Sequence, residues 1–198
     1  MSSPPPLQDA RADLVRERVL EGVARVLDDG EDLTFARVAR AAGVPERTVY
    51  RHFPNREALM AAVFGWANDR VGFTGDAPST PDAMTAMVRQ VFPGFDTIGS
   101  VVDELLSTTE GRRARLASLD ERRTAAEEVV AHAAPNLRPA ERRQVAAVIQ
   151  VLGSAAVWQA LRDFWDWDGE TSADAIATAI DLLLAGAATS TPRKKGRT

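Results

Sequence analysis

The sequence predicts an all-α protein made of a small N-terminal head and a larger helical domain. Three observations carry that expectation. Apolar residues recur at three- and four-residue steps nearly throughout. No run of alternating β-branched residues bounded by turn pairs occurs. And one stretch, GVPERTVYRHFPNREAL at 43–59, differs in charge and chemistry from what surrounds it.

Taken in order, residues 1–11 are rich in Ser and Pro and read as disordered. Leu14, Val15, Val19, Val23, Val26 and Leu27 form the apolar stripe of a first helix, stopped by Gly30. Thr34 can cap a short second helix carrying Phe35, Val38, Ala39 and Ala42, ended by Gly43. Pro45 suits the first turn of a third helix, with Val49 and Phe53 on one face and Pro54 beyond its end. Asn55 can cap a fourth, with Leu59, Ala62, Val63 and Trp66 on one side. The Gly/Pro-rich stretch GFTGDAPSTPD (72–82) reads as a loop and a domain boundary. Beyond it, helices are expected over 83–92, 101–110, 112–134, 139–166 and 171–188, with a break at Pro93, Gly94 and Gly99. That makes about nine helices: a helix-turn-helix domain over 12–54, a connecting helix over 55–71, a C-terminal domain over 72–188, and a disordered basic tail over 189–198.

Composition narrows the function classes. There is no cysteine, so disulfides are impossible, and with only two histidines neither a metal site nor a cofactor is expected. The N-terminus lacks a basic segment followed by an apolar run, and no window approaches the ~18 apolar residues of a membrane span. A cytoplasmic protein with no membrane partner is the expectation. Enzyme motifs are also missing: no GxSxG elbow, phosphate loop, HExxH or GxGxxG is present, so no catalytic residue is assigned.

The net charge of −4 does not favour nucleic acid, but its distribution does. Between Thr34 and Arg56 there are five arginines against Glu46 alone, whereas Asp76–Thr191 holds ten arginines against seventeen acids. A helix ending at Gly43, a short turn and a helix from Pro45 to Phe53 form a helix-turn-helix. Val49 and Phe53 point its third helix inward. The remaining face offers Glu46, Arg47, Thr48, Arg51 and His52. Arg47 and Thr48 lie in the N-terminal half, where recognition helices meet base edges. An arginine fork matches the O6 and N7 acceptors of guanine, for about 1–3 kcal/mol of discrimination. Tyr50 and His52 can donate to phosphate oxygens. Thr34 and Arg56, at helix starts, can meet phosphates there. Any one of these residues alone reads as an ordinary solvated side chain. Together on one face they point to double-stranded DNA.

The pattern TFARVARAAGVPERTVYRHFPNREALMAAV resembles the DNA-binding signature of the tetracycline-repressor (TetR) family of bacterial regulators. The matching elements are Thr34–Phe35, Val38–Ala39, Ala42–Gly43–Val44, Thr48–Val49–Tyr50, His52–Phe53 and 55–59, within a resemblance covering about residues 12–66. It implies a homodimer of all-helical subunits, each with a DNA-binding head and a domain that binds a small molecule. It places Thr34, Tyr50, His52 and Arg56 where phosphate contacts are usual, and Pro45, Glu46, Arg47, Thr48 and Arg51 where base readout varies. Pro45 departs from the pattern, since a capping serine is common there. So do Glu46 and Arg47, where small residues are frequent.

In the C-terminal part, the stretch from Val145 to Trp158 is apolar nearly all round. Val148, Leu152 and Ala155, with Ile176, Ile180 and Leu183, suit either a dimer interface or the core of one subunit; the family resemblance favours the dimer. Met84, Met87, Phe92, Phe95, Ile98, Leu105 and Trp158 are candidates to line a site for a small apolar or amphipathic effector, or else an ordinary core. His132 reads as an exposed helix residue. Phe164, Trp165 and Trp167, interleaved with aspartates, read as a helix-end staple or a dimer rim. The functional expectation is a ligand-responsive transcriptional regulator, a repressor released from a palindromic operator by a small molecule. The alternatives are a helical protein-binding adaptor and an all-α enzyme without a familiar motif.

Overall fold

The computed structural model describes residues 7–189, with side chains from Arg11 onward. Among the described residues there is no strand, as the apolar periodicity predicts, but there are eleven helices where about nine are expected, because the stretches 112–134 and 139–166 each divide in two. In order they are α1 (Leu7–Asp28), α2 (Phe35–Ala42), α3 (Glu46–His52), α4 (Arg56–Arg70), α5 (Pro81–Thr97), α6 (Gly99–Ser107), α7 (Thr109–Leu116), α8 (Leu119–Ala133), α9 (Pro139–Leu152), α10 (Ala155–Trp165) and α11 (Gly169–Thr189). Part of the N-terminus expected to be disordered is therefore helical from Leu7. The rest of that segment, 1–6, and the basic tail after Thr189 lie outside the described residues.

The chain divides into two compact units. One holds the described residues up to Ala67 together with Ile98–Leu116; the other holds Asn68–Thr97 and the residues from Ala117 on. This differs from the expected division into 12–54, 55–71 and 72–188. The chain does change unit close to residue 71, but 98–116 packs with the head, because α6 lies against α1 and α7 against α6. Such long-range pairing leaves no mark in local periodicity.

In the first unit, Val19 and Val23 of α1, Val38 of α2, Val49 of α3, Phe53 just after it, and Val101 of α6 are almost fully buried. Burying each such side chain is worth about 1.5–3 kcal/mol. The ends of α2 are closed as the sequence predicts. The Thr34 side chain accepts from the Arg37 N–H at 3.3 Å, and Gly43 takes the left-handed φ of 64°. There the Gly43 N–H bonds the Arg40 carbonyl at 3.1 Å and the Val44 N–H bonds that of Ala39 at 3.0 Å. Asn55 Oδ1 accepts from the Ala58 N–H at 2.8 Å, capping α4.

In the second unit, α5 and α11 form the main pairing, with α8, α9 and α10 around them. α5 runs unbroken through Pro93, against the expected break. α11 begins there at unusually short range: a Cβ on Gly169 would lie 2.3 Å from the Phe92 carbonyl oxygen. The expected single helix over 139–166 is two, α9 and α10, meeting at a 60° bend. The bend falls at Gly153, whose Cα side faces the Met87 Cε and Met84 Sδ. α11 is also long and apolar enough to cross a membrane by length and composition, which no sequence window suggested; its inner face, Ser172, Ile176, Ile180 and Leu184, is buried in this unit.

Candidate nucleic-acid interface

The helix-turn-helix is α2, the turn 43–45 and α3. Two arginines of α1 brace it from behind: Arg18 Nη2 donates to the Ala42 carbonyl and Arg25 Nη2 to that of Ala41, each at 2.9 Å. They satisfy carbonyls that a helix end otherwise leaves open. α3 starts at Pro45 without a side-chain cap, as expected from a residue that has none to offer. Its buried residue is Val49, and Phe53, which ends it, is buried as well.

The outward face carries Glu46, Arg47 and Arg51, all exposed, with Pro45 exposed just before it and Thr48 partly buried. Tyr50 is 49% exposed and stacks on the Phe35 ring, with centroids 4.5 Å apart and planes 16° from parallel. That stacking fixes the ring and leaves the phenol to solvent. Thr34 is exposed while capping α2.

The arginines separate into two groups. Arg37 is neutralised, 3.0 Å from Glu31 and 3.2 Å from Asp32. Arg56 is too: it is bonded to Glu104 of α6, lies 4.0 Å from Glu110, and donates to the Leu33 carbonyl at 2.8 Å. Arg56, expected to meet a phosphate, is thus engaged within the protein, because a part-buried guanidinium needs acceptors and α6 provides one. Arg40, Arg47 and Arg51 have no ion pair among the described residues. Arg40, exposed in the last turn of α2, is one of the five arginines between Thr34 and Arg56, and the sequence alone does not single it out. Its missing acid partner is visible only in three dimensions.

His52 is partly buried, and its Nε2 is enclosed without a hydrogen-bond partner. Burial, then the charges of Arg51 and Arg16, push its pKa below the ordinary histidine value. The imidazole is therefore neutral at physiological pH, and an arriving anion would favour its charged form.

Of the other candidates, Met84, Met87, Phe92, Phe95 and Trp158 fall in the second unit, while Ile98 and Leu105 are buried in the first. Phe95 lies 5.8 Å from Phe92 and 5.5 Å from Trp158 between ring centroids. The Trp158 indole donates to Asp96 at 2.9 Å, and Arg162 stacks on its ring at 4.7 Å. On the proposed interface helices, Ile176 and Ile180 are buried within their own subunit, which assigns them to its core rather than to a surface. Leu152 and Ala155 are partly buried. Val148, Val151, Leu182 and Leu183 remain exposed. His132 is exposed, its Nδ1 2.8 Å from the Glu128 carbonyl oxygen.

Residues 29–63 match the family described as bacterial regulatory proteins, tetR family. The matched residues hold α2, the turn, α3 and the first part of α4, so the helix-turn-helix of this chain is similar to that family's. Among curated proteins, the nucleoid occlusion factor SlmA of Marinobacter nauticus is 34% identical over 58 residues, 28% of this chain and 30% of SlmA. The chain thus spans under a third of that relative's length. An uncharacterised helix-turn-helix-type transcriptional regulator of Mycobacterium bovis is 26% identical over 154 residues, 72% of this chain and 80% of the relative. Among solved structures, the TetR-like transcriptional regulator LfrR of Mycobacterium smegmatis is similar at 24% identity and a TM-score of 0.38, over 92% of this chain and 99% of its own.

Proposed function

We propose that the protein is a transcriptional repressor that binds a palindromic DNA operator as a homodimer and is released by a small apolar or amphipathic molecule. One observation carries the DNA part: Arg40, Arg47 and Arg51 are exposed and have no acid partner among the described residues, on a helix pair anchored by the buried Val38 and Val49. On this reading Arg47 and Thr48 read bases, while Tyr50, His52 and Thr34 hold phosphates. Glu46 faces a cytosine amine if it touches the duplex, since a carboxylate repels phosphate.

The dimer part draws on the exposed apolar residues of α9 and α11, Val148, Val151, Leu182 and Leu183. The effector part draws on the aromatic cluster Phe92, Phe95 and Trp158 beside the methionines at the α9–α10 bend. An effector acts only through its different affinity for two states of the dimer.

The test is a gel shift with sheared genomic DNA at low salt, followed by selection of bound sequences. Arg47→Ala should lose about 1–3 kcal/mol and relax sequence preference. Tyr50→Phe should weaken binding by about 1 kcal/mol without changing preference. A wild-type protein that shifts no duplex at low salt sinks the DNA reading.

A further inference from the structure

We propose that Arg16, on α1 and outside the helix-turn-helix, is a further phosphate-binding residue that extends the DNA footprint onto the first helix. The proposal rests on the DNA-binding reading above.

Arg16 is exposed, yet its position is fixed: its guanidinium carbon stands 4.8 Å from the centroid of the Phe53 ring. Phe53 closes the C-terminal end of α3 and is 1% exposed, so it is an immobile platform. Stacking on an aromatic face uses the flat side of a guanidinium. The N–H groups around its edge stay free, and their fork matches the oxygens of a phosphate. Arg18 and Arg25, on the same helix, are occupied by the Ala42 and Ala41 carbonyls. Arg16 has no such carbonyl and no ion pair among the described residues. Its neighbour Glu17 is turned to the Trp66 indole at 3.0 Å.

Arg16 therefore brings a positive charge to the same end of α3 as Arg51 and His52, with no carboxylate among them. Burial first, then the charges of Arg51 and Arg16, lower the pKa of the His52 imidazole between them. Holding like charges together raises the energy of the free protein, and an anion relieves it. A duplex on the outward face of α3 offers that anion as backbone phosphate.

The experiment measures affinity for sheared genomic DNA, whose binding is dominated by phosphate contacts, across a salt series. Each phosphate contact contributes about −0.9 to the slope of log affinity against log salt. Arg16→Met keeps an apolar stem on Phe53 and removes the charge; it should lower the magnitude of the slope by about 0.9. Arg16→Lys should keep the wild-type slope. Arg37→Gln, whose arginine is already neutralised by Glu31 and Asp32, should also keep it. Circular dichroism confirms that each variant is folded; if Arg16→Met is not, Arg16→Gln takes its place. A folded, uncharged variant with the wild-type slope overturns the proposal while leaving DNA binding intact. A wild type with no salt-dependent binding instead overturns the reading on which it rests.

Discussion

A single carboxylate decides what Arg56 can do. Glu104 holds it, and the Leu33 carbonyl fixes its other edge. Glu104 is largely shielded and Arg56 about a third exposed, so their bond is charge-assisted and partly screened. Glu104→Ala should lower stability by about 1–3 kcal/mol, read from the urea midpoint at unchanged m-value. An unmoved midpoint would show the pair to be ornamental. His52 has the opposite problem, a nitrogen enclosed without a partner. Its pKa is depressed in the folded protein by burial, Arg51 and Arg16. Its contribution to stability is therefore complete above the unfolded value of about 6.5 and is lost as pH falls through the lower folded value. DNA reverses the sign. If a phosphate lies beside the ring, as proposed, it favours imidazolium, so binding should take up a proton and tighten as pH falls from about 7.5 to about 5.5. Titrations of DNA affinity across that range should show this for the wild type and a flat profile for His52→Gln; identical profiles would remove His52 from the interface.

Among the elements, the helix-turn-helix is the one most legible in the sequence. Thr34, Gly43 and Asn55 act within one turn of the chain, and local hydrogen bonds need no distant partner. Gly43 shows how much rests on such a residue. Its φ of 64° is left-handed, and a Cβ there would meet Arg18 Nη2 at 3.1 Å. Gly43→Ala should cost about 1–2 kcal/mol in thermal or urea unfolding, and a neutral result would mean the turn has another conformation within reach. The remaining elements depend on partners. Pro93 reads as a breaker, yet α5 continues through it because α11 packs along α5 and begins against the Phe92 carbonyl. Tertiary burial outweighs a local penalty of about 3 kcal/mol. The bend at Gly153 hides inside an apolar run, where Val, Ala and Leu fit one long helix or two short ones equally well. Ile176 and Ile180 are apolar enough for an interface or a core; only the packing of α11 assigns them inward. The engaged state of Arg56 was equally hidden, because Glu104 lies 48 residues away.

At the scale of the whole molecule, the exposed apolar surface sets the last prediction. Val151 is 60% exposed and Leu182 69%, on the adjoining helices α9 and α11 of one unit. Phe164, at the end of α10, is 83% exposed. Single exposed apolar residues are ordinary, but several large ones on neighbouring helices of one unit are costly to leave in water. In the proposed homodimer, a second copy of the same surface would cover them by two-fold symmetry. If it does, Val151→Glu combined with Leu182→Glu places uncompensated carboxylates in a dry contact and should give a folded monomer in sedimentation. The consequence for DNA follows from geometry. Two recognition helices tied together about 34–36 Å apart read both halves of a palindrome, and the second half-site then binds as an intramolecular event. Losing that tie should weaken operator binding by roughly 10²–10⁴-fold, while binding to a single half-site stays as it was. A double variant that remains dimeric would move the interface to another face, and a monomer with full operator affinity would show that one head suffices.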